Sequence, residues 1–279
     1  MPGIKIVTDS TTDLPKELLD QHQVEVIPLT VLVDGESYYD NVTITPEDFL
    51  VRMKASRELP KTSQPSVGVL AEAYDRLGAN GDTILSIHMT SGMSGTYSAA
   101  CAAAEMSASR VEVVDSQMIS QALGFQVLEA ARMAEAGASL ETIVARLDEL
   151  RSRTTLLVVV DSLDNLIKGG RIGRAAGLIG TILNVKPIAM LADGVYSPFA
   201  KVRTASQIIE KLMHHMENDI RGRAVRGIGL SHADNLPLAK RLQEAIARLT
   251  DVPVSIRPAT PVITTHTGPG AIGLMYYAE

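Results

Sequence analysis

The sequence predicts an α/β protein of two domains. A mostly parallel sheet with flanking helices is expected over residues 1–153, and an α+β domain with a mixed sheet over 154–279. Up to Arg153, apolar β-branched runs alternate repeatedly with amphipathic segments, the pattern of strands joined by crossover helices. Beyond Thr154 the texture changes: Asp193-Gly194, between two strand-like runs, is the clearest hairpin signal in the chain. The 279 residues suffice for two moderate domains, with no Pro/Gly/Ser-rich linker and no internal repeat to suggest more.

Taken in order, Ile4–Thr8 is a short strand running into Asp9-Ser-Thr-Thr-Asp-Leu-Pro15. Asp13 is expected to cap a helix reaching about Gln23, with Pro15 in its first turn. Val24–Val33 reads as one strand broken only by Pro28, and Asp34-Gly35 turns it into Glu36–Tyr39. Thr45 and Asp48 have capping-box spacing at the start of a helix. Lys61-Thr-Ser-Gln-Pro-Ser66 is a hydroxyl-rich turn in which Ser63 or Ser66 caps the helix Val67–Leu77. Thr83–Met89 is a buried strand bounded by Gly81-Asp82, and an alanine-rich helix covers Ser98–Met106. The strand Arg110–Asp115 and the helices Gln117–Ala136 and Ser139–Arg153 complete this half.

In the second half, Thr154–Asp161 is a strand and Ser162–Ile167 a short helix ended by Gly169-Gly170. Arg171-Ile-Gly-Arg174 leads into the apolar run Ala175–Val185. Lys186–Ala192 and Val195–Arg203 flank the hairpin turn. Helices are expected over Thr204–Glu217 and Asn235–Leu249, and strands over Gly227–His232, Val252–Arg257 and Leu274–Tyr277. Before the last strand, Thr265, His266 and Thr267 are expected on a turn.

Composition excludes several classes. With 26 basic against 32 acidic residues the net charge is −6, leaving no cationic excess for a nucleic-acid backbone. The single cysteine, Cys101, rules out an internal disulfide and fits a reducing cytoplasm. Met1-Pro-Gly-Ile-Lys-Ile-Val7 lacks a signal-peptide pattern, and no apolar run is long enough to span a bilayer. Transient contact with a membrane surface is the only membrane encounter this leaves open. The six histidines are scattered without metal-ligand spacing, so no metal is expected.

The most informative stretch is Ser91-Gly-Met-Ser-Gly-Thr-Tyr97, between the strand at Thr83 and the alanine-rich helix. Glycines and hydroxyls at a helix N-terminus can hold a carboxylate or phosphate, but the same residues also serve as ordinary helix caps. Named catalytic loops fail here. From Gly92 through Ser94 the nucleophile-elbow spacing lands on Thr96, and a Walker A loop would need a lysine. Gly268, Gly270 and Gly273 spell Gly-x-Gly-x-x-Gly, but a strand rather than a helix follows them. The Asp9–Asp13, Thr62–Ser63 and Ser91–Ser94 loops are candidates to meet beyond the carboxyl ends of the strands, where such sheets bind ligands.

Five motifs in register carry a family resemblance: Thr8-Asp-Ser-Thr-Thr-Asp-Leu-Pro15, Thr62-Ser-Gln-Pro65, Ser91–Tyr97, Gly169-Gly-Arg-Ile172 and Thr265-His-Thr-Gly-Pro-Gly270. Together they resemble the DegV family of bacterial fatty-acid-binding proteins, some of which are the acyl carriers of fatty acid kinase. The resemblance implies a ligand cleft between two domains, with a long-chain fatty acid as the bound ligand and no cofactor. It places the carboxylate among Thr62, Ser94, Arg171, Thr265 and His266. It implies no catalytic residue in the carrier itself, because a separate ATP-dependent kinase subunit phosphorylates the acid to an acyl phosphate. Lys201 and Arg203 resemble a basic segment that meets this kinase. Burying each methylene contributes roughly 0.8 kcal/mol, so a C16 tail supplies on the order of 10 kcal/mol before ordering costs. The tail would then carry affinity and the head group orientation, with Ile172–Val185 either lining the slot or forming an ordinary core helix. Two alternatives stand beside this reading: a small serine hydrolase using Ser94 as nucleophile and His266 as base, and a lipid-sensing regulator.

Overall fold

Three sheets organise the molecule, seen in a computed structural model that describes residues 3–178 and 185–279. The chain opens with β1 (Ile4–Asp9), a 3₁₀ turn over Ser10–Thr12, α1 (Lys16–Gln21) and β2 (Glu25–Ile27). β3 (Thr30–Val33) and β4 (Glu36–Tyr39) form a hairpin whose turn residues Asp34 and Gly35 have φ of 47° and 87°, as a two-residue primed turn requires. α2 (Pro46–Ala55), β5 (Lys61–Ser63), α3 (Val67–Gly78), β6 (Thr83–His88), α4 (Thr96–Met106) and β7 (Val111–Asp115) follow. Then come α5 (Ser120–Glu135), α6 (Leu140–Ser152), β8 (Thr154–Val159) and α7 (Asp164–Lys168). The remainder comprises β9 (Lys186–Ala192), β10 (Val195–Val202), α8 (Ala205–Asp219), β11 (Val225–His232), α9 (Leu236–Ile246), β12 (Val254–Pro258), α10 (Pro261–Thr267) and β13 (Ile272–Ala278).

The first sheet is wholly parallel, in the order β2-β1-β6-β7, and the largest is mixed, in the order β10-β9-β8-β13-β11-β12. Both match the expected α/β and α+β halves. α5 lies between these two sheets. Its buried residues Ala122, Leu123, Val127 and Ala131 share one apolar cluster with Ile6, Leu85 and Ile87 of the first sheet and Leu156, Val158 and Met275 of the second. Along β8 and β13 the alternate residues Leu157, Val159, Leu274 and Tyr276 face a second cluster under α8 and α9, as the period of two demands.

The structure departs from the sequence reading in four places that bear on the site. Val24–Val33 is two strands in two sheets: β2 pairs in parallel with β1, while β3 pairs with β4 and β5 in a small antiparallel sheet. Pro28 has no N–H for a ladder, so the chain changes sheets there. Lys61–Ser63, expected as a turn, is the short third strand of that small sheet, with Thr62 opposite Val31. Asp13 does not cap α1, whose N-cap is Pro15; it takes a left-handed φ of 50° and turns inward. The Thr265–Thr267 turn is the last part of a helix, α10, with Thr260 as its N-cap and Pro261 in its first turn.

Candidate ligand-binding site

A cavity of ≈ 350 Å³ opens where the small sheet, the loop after β6, the start of α5, β10 and α10 converge. Its apolar wall is Leu29, Met89, Met93, Ile119, Tyr196, Val262 and Ile263, and its polar wall Thr62, Ser63, Gln64, Ser94, Arg171, His266 and Thr267. A smaller recess of ≈ 30 Å³ shares Ile119, Tyr196, Ile263 and Thr267 with it and leads inward to Leu156, Val158 and Met275 between the two larger sheets. The volume is in the range of ordinary small-ligand pockets.

α10 shows how local structure sets the site. Residues 262, 263, 266 and 267 line the cavity, a spacing of i, i+4 that puts them on one helical face. Thr264 and Thr265 point the other way and are fully buried; the Thr265 hydroxyl donates to Pro261 O at 2.8 Å and the Thr264 hydroxyl to Ala259 O at 3.3 Å. Thr265, expected at the ligand, therefore lies on the helix away from the lining face. His266 does face the cavity. Its Nε2 shares a 2.8 Å hydrogen bond with the Thr62 hydroxyl, joining α10 to β5, while its buried Nδ1 has no partner among the described residues. Burial, and secondarily the positive charge of Arg171, push the imidazole down to about 4, so it is neutral at physiological pH.

The glycine motif after α7 makes room for this arrangement. A Cβ at Gly169 would sit 2.3 Å from His266 Nδ1, so only glycine lets the imidazole pack there. Gly170 follows with φ of 72°, a left-handed turn suited to glycine, and directs Arg171 back toward the cavity. The Arg171 guanidinium is fixed by two carbonyls: Nε donates to Met93 O at 2.9 Å and Nη1 to Gly169 O at 2.6 Å. Among the described residues no carboxylate pairs with it.

The loop after β6 points its two serines in different directions. Ser91 turns to β7, its hydroxyl donating to Asp115 Oδ2 at 2.5 Å and its amide to Oδ1 at 3.2 Å. Ser94 lines the cavity, and its oxygen accepts from Thr96 N at 3.2 Å and shares a 2.8 Å hydrogen bond with the Thr96 hydroxyl. Ser94 thus bonds the first residue of α4, whose N-cap is Gly95, and faces the cavity at once, whereas residues 95–98 at the start of α4 do not line it. At Gly95 a Cβ would lie 2.0 Å from Oε1 of the Gln64 side chain, which would have to swing aside. The Asp9–Asp13 loop, expected at this edge, is buried and contributes no lining residue.

Of the proposed ligand contacts, the structure brings Thr62, Ser94, Arg171 and His266 to one cavity and turns Thr265 away. Lys201 and Arg203 are exposed, on and just beyond β10, the strand that supplies Tyr196. The Ile172–Val185 slot falls partly outside the described residues, and Ile172 packs against the central cluster. Val262 and Ile263 were legible in principle: Thr260-Pro261 is an N-cap and first-turn signature, and a helix from there gives their i, i+4 partners. Tyr196 and Ile119 come from elements distant in sequence and carried no signal.

These features define a two-lobed α/β protein with a cavity between its sheets that is polar on one side and apolar on the other. The chain belongs to the DegV family: the family model described as "Uncharacterised protein, DegV family" matches residues 3–279. A DegV domain-containing protein of Listeria innocua is 42% identical over 283 aligned positions, covering 100% of both chains. Among solved structures, a fatty-acid-binding DegV family protein from Thermus thermophilus superposes with a TM-score of 0.94 at 33% identity, over 99% of this chain and 100% of that one. DegV of Bacillus subtilis, a fatty acid binding protein, gives 0.92 at 36% identity over 100% of each chain.

Proposed function

We propose that the protein binds a long-chain fatty acid, with its carboxylate at Thr62, Ser94, Arg171 and His266 and its tail along the apolar wall toward Leu156, Val158 and Met275. The observation that carries this reading is Arg171: a guanidinium held at the cavity, opposite its apolar wall, with no carboxylate among the described residues to neutralise it. A ligand anion completes that charge, and charge-assisted bonds to hydroxyls complete its coordination. The fatty-acid-binding relatives from Thermus thermophilus and Bacillus subtilis support the choice of anion.

His266 sharpens the chemistry. Its buried Nδ1 has no partner among the described residues, and an unpaired donor there would cost about 1–3 kcal/mol. We place the ring proton on Nε2, where it donates to the Thr62 oxygen, because a buried N–H is seldom left without an acceptor. Thr62 then keeps its own O–H free to donate into the cavity, toward a carboxylate. The hydrolase alternative fits less well. His266 Nε2 is bonded to Thr62 and Ser94 to Thr96, and among the described residues no hydrogen bond joins Ser94 to His266 and no carboxylate orients the ring.

We take the protein as a carrier without a catalytic step, presenting the carboxylate to an ATP-dependent kinase subunit, with Lys201 and Arg203 on the side that meets it. The half-exposed positions of Thr62 and Ser94 leave the head group reachable from solvent, and the family resemblance supports the partner. A lipid-sensing regulator would differ only in that partner. The single free cysteine and the ATP-dependent partner support a cytoplasmic location, and among the described residues no helix is long and apolar enough to cross a membrane. The lobes divide in our reading between Arg153 and Thr154, where β8 opens the mixed sheet. Native mass spectrometry of purified protein, alone and after adding palmitate or oleate, tests the ligand. A one-to-one acid complex is expected, and protein that takes up neither acid would overturn the reading. Adding a fatty acid kinase and ATP to that complex should yield acyl phosphate, trapped as the hydroxamate; none above the carrier-free control would leave only the binding role.

A further inference from the structure

We propose that Asp13 and Asp40 are positioning residues for the head-group site: they hold the start of α10 from the opposite lobe and thereby set His266 against Thr62. The ligand-related part of this rests on the fatty-acid reading above.

Both carboxylates are buried, Asp13 at 4% exposure and Asp40 at 0%. Each spends one oxygen on the backbone of the α10 start. Asp13 Oδ1 accepts from Thr260 N at 2.9 Å, and Asp40 Oδ1 accepts from Val262 N at 3.1 Å. Each spends the other on a serine hydroxyl of its own lobe, Asp13 Oδ2 accepting from Ser120 and Asp40 Oδ2 from Ser10 at 2.6 Å. No lysine, arginine or histidine among the described residues pairs with either. Two buried carboxylates without a cation are a poor way to gain stability, because apolar residues of similar size would avoid the desolvation cost. Their geometry suits another role, that of fixing the rotation and height of a short helix.

That helix is seven residues long, so it has barely two turns to resist twisting. At 3.6 residues per turn, a slip of one residue rotates the lining face by about 100°. Such a slip would carry His266 away from Thr62, turning Thr265 toward the cavity in its place. Asp9 and Ser10 of the same loop hold the opposite wall in the same manner. Asp9 Oδ2 accepts from Met89 N at 2.8 Å and Ser10 Oγ from Leu29 N at 3.1 Å, and both Met89 and Leu29 line the cavity. The loop therefore holds these walls through their backbones and lines none of the cavity itself. Burial pushes Asp13 up to about 6 and Asp40 up to about 7, consistent with carboxyls kept for the geometry of their acceptors rather than for charge.

The experiment compares Asp40→Asn, Asp40→Glu and Asp40→Leu. Asparagine keeps an acceptor at the same distance, glutamate keeps the charge but displaces it by one methylene, and leucine removes both. ¹⁵N-histidine spectra of ligand-free protein, with His266 assigned from His266→Gln, report whether the Nε2–H tautomer persists. Affinities for palmitate and for hexadecanol report whether the head group is still recognised. The expected result is a retained tautomer and acid-over-alcohol preference in Asp40→Asn. In Asp40→Glu and Asp40→Leu we expect tautomer averaging and a preference reduced tenfold or more, with hexadecanol affinity within threefold of wild type. If the leucine variant does not fold, the asparagine and glutamate pair decides. A folded Asp40→Glu with an unchanged His266 signature and an unchanged preference would overturn the proposal, as would Asp40→Asn losing both as fully as glutamate does. Wild-type protein that binds neither palmitate nor hexadecanol would overturn the ligand reading alone, while the histidine spectra still judge the positioning role.

Discussion

The protein holds two Ser/His groupings with opposite properties. In the parallel sheet, Asp9 Oδ2 meets His88 Nδ1 at 3.1 Å, His88 Nε2 meets Ser86 Oγ at 2.8 Å, and Ser86 meets the Tyr74 hydroxyl at 2.8 Å. By connectivity this is an acid–base–hydroxyl relay, yet all four residues are 0% exposed and none lines the cavity. At the cavity, Ser94 and His266 are open to a ligand but are not bonded to each other, and the imidazole has no carboxylate behind it. The first grouping has order without access, and the second has access without the relay. Among the described residues neither grouping joins a hydrogen-bonded relay to the cavity.

Breaking the buried relay should have the largest effect, and on stability rather than on ligand chemistry. Asp9 accepts from His88, from Met89 N, and from both the amide and the hydroxyl of Thr11. His88 and these hydrogen bonds hold its carboxyl below the ordinary range against the opposing effect of burial. Asp9→Ala leaves those donors buried and unpaired, so we expect a loss of about 3–5 kcal/mol in urea unfolding. A loss below about 1 kcal/mol would show that the network contributes little and would blur the contrast with the cavity.

The buried acids of the 9–13 loop and Asp40 should show themselves through pH. Burial raises the folded-state values of Asp13 to about 6 and Asp40 to about 7, above the ordinary 3.8. The native state therefore binds these protons more tightly than the unfolded chain. Their contribution to stability is fully present below about pH 4 and is lost as pH rises through 6 and 7. His266 acts in the opposite sense: its depressed value of about 4 costs stability as pH falls from about 6.5. Comparing wild type with Asp40→Asn cancels the histidine and isolates the acid. The variant should gain on the order of a few kcal/mol relative to wild type between about pH 5 and pH 8, read from urea midpoints at each pH. A difference that stays flat over that range would mean Asp40 is ionised throughout.

How much of this was legible in the sequence follows from the range of the interactions. The parallel half and the Asp193-Gly194 hairpin depend on local patterning and turn chemistry, and both formed as expected. Short segments whose state depends on distant partners did not follow their local pattern. β5 is a strand only because β3 lies beside it, and Asp13 faces inward because Thr260 and Ser120 wait there, at sequence separations of 247 and 107. The site residues divide the same way. Thr62, Ser94, Arg171 and His266 lie in motifs, whereas the apolar wall is assembled from elements spread from Leu29 to Ile263. Thr265 shows the cost of missing one helix: with 262, 263, 266 and 267 spaced i, i+4 on the lining face, 264 and 265 fall on the other side.

The smallest effects, and the sharpest comparison, come from three hydroxyls near the cavity. Ser91 and Ser94 belong to one loop, and Thr62 faces them from β5, yet only Ser94 and Thr62 line the pocket. A hydrogen bond to a charged group contributes about 1.5–3 kcal/mol, so Thr62→Ala and Ser94→Ala should each weaken palmitate binding by roughly 10- to 150-fold. Ser94→Ala also removes the acceptor for Thr96 N, the first amide of α4, at a cost of about 1 kcal/mol of stability. Ser91→Ala cuts a tie to Asp115 and should cost about 0.5–1.5 kcal/mol of stability while leaving palmitate affinity within twofold. Isothermal titration and thermal melts of the three variants separate the outcomes. Equal losses of affinity in Ser91→Ala and Ser94→Ala would mean that the loop acts as one rigid unit, and that Ser94 has no contact with the head group beyond holding the loop in shape.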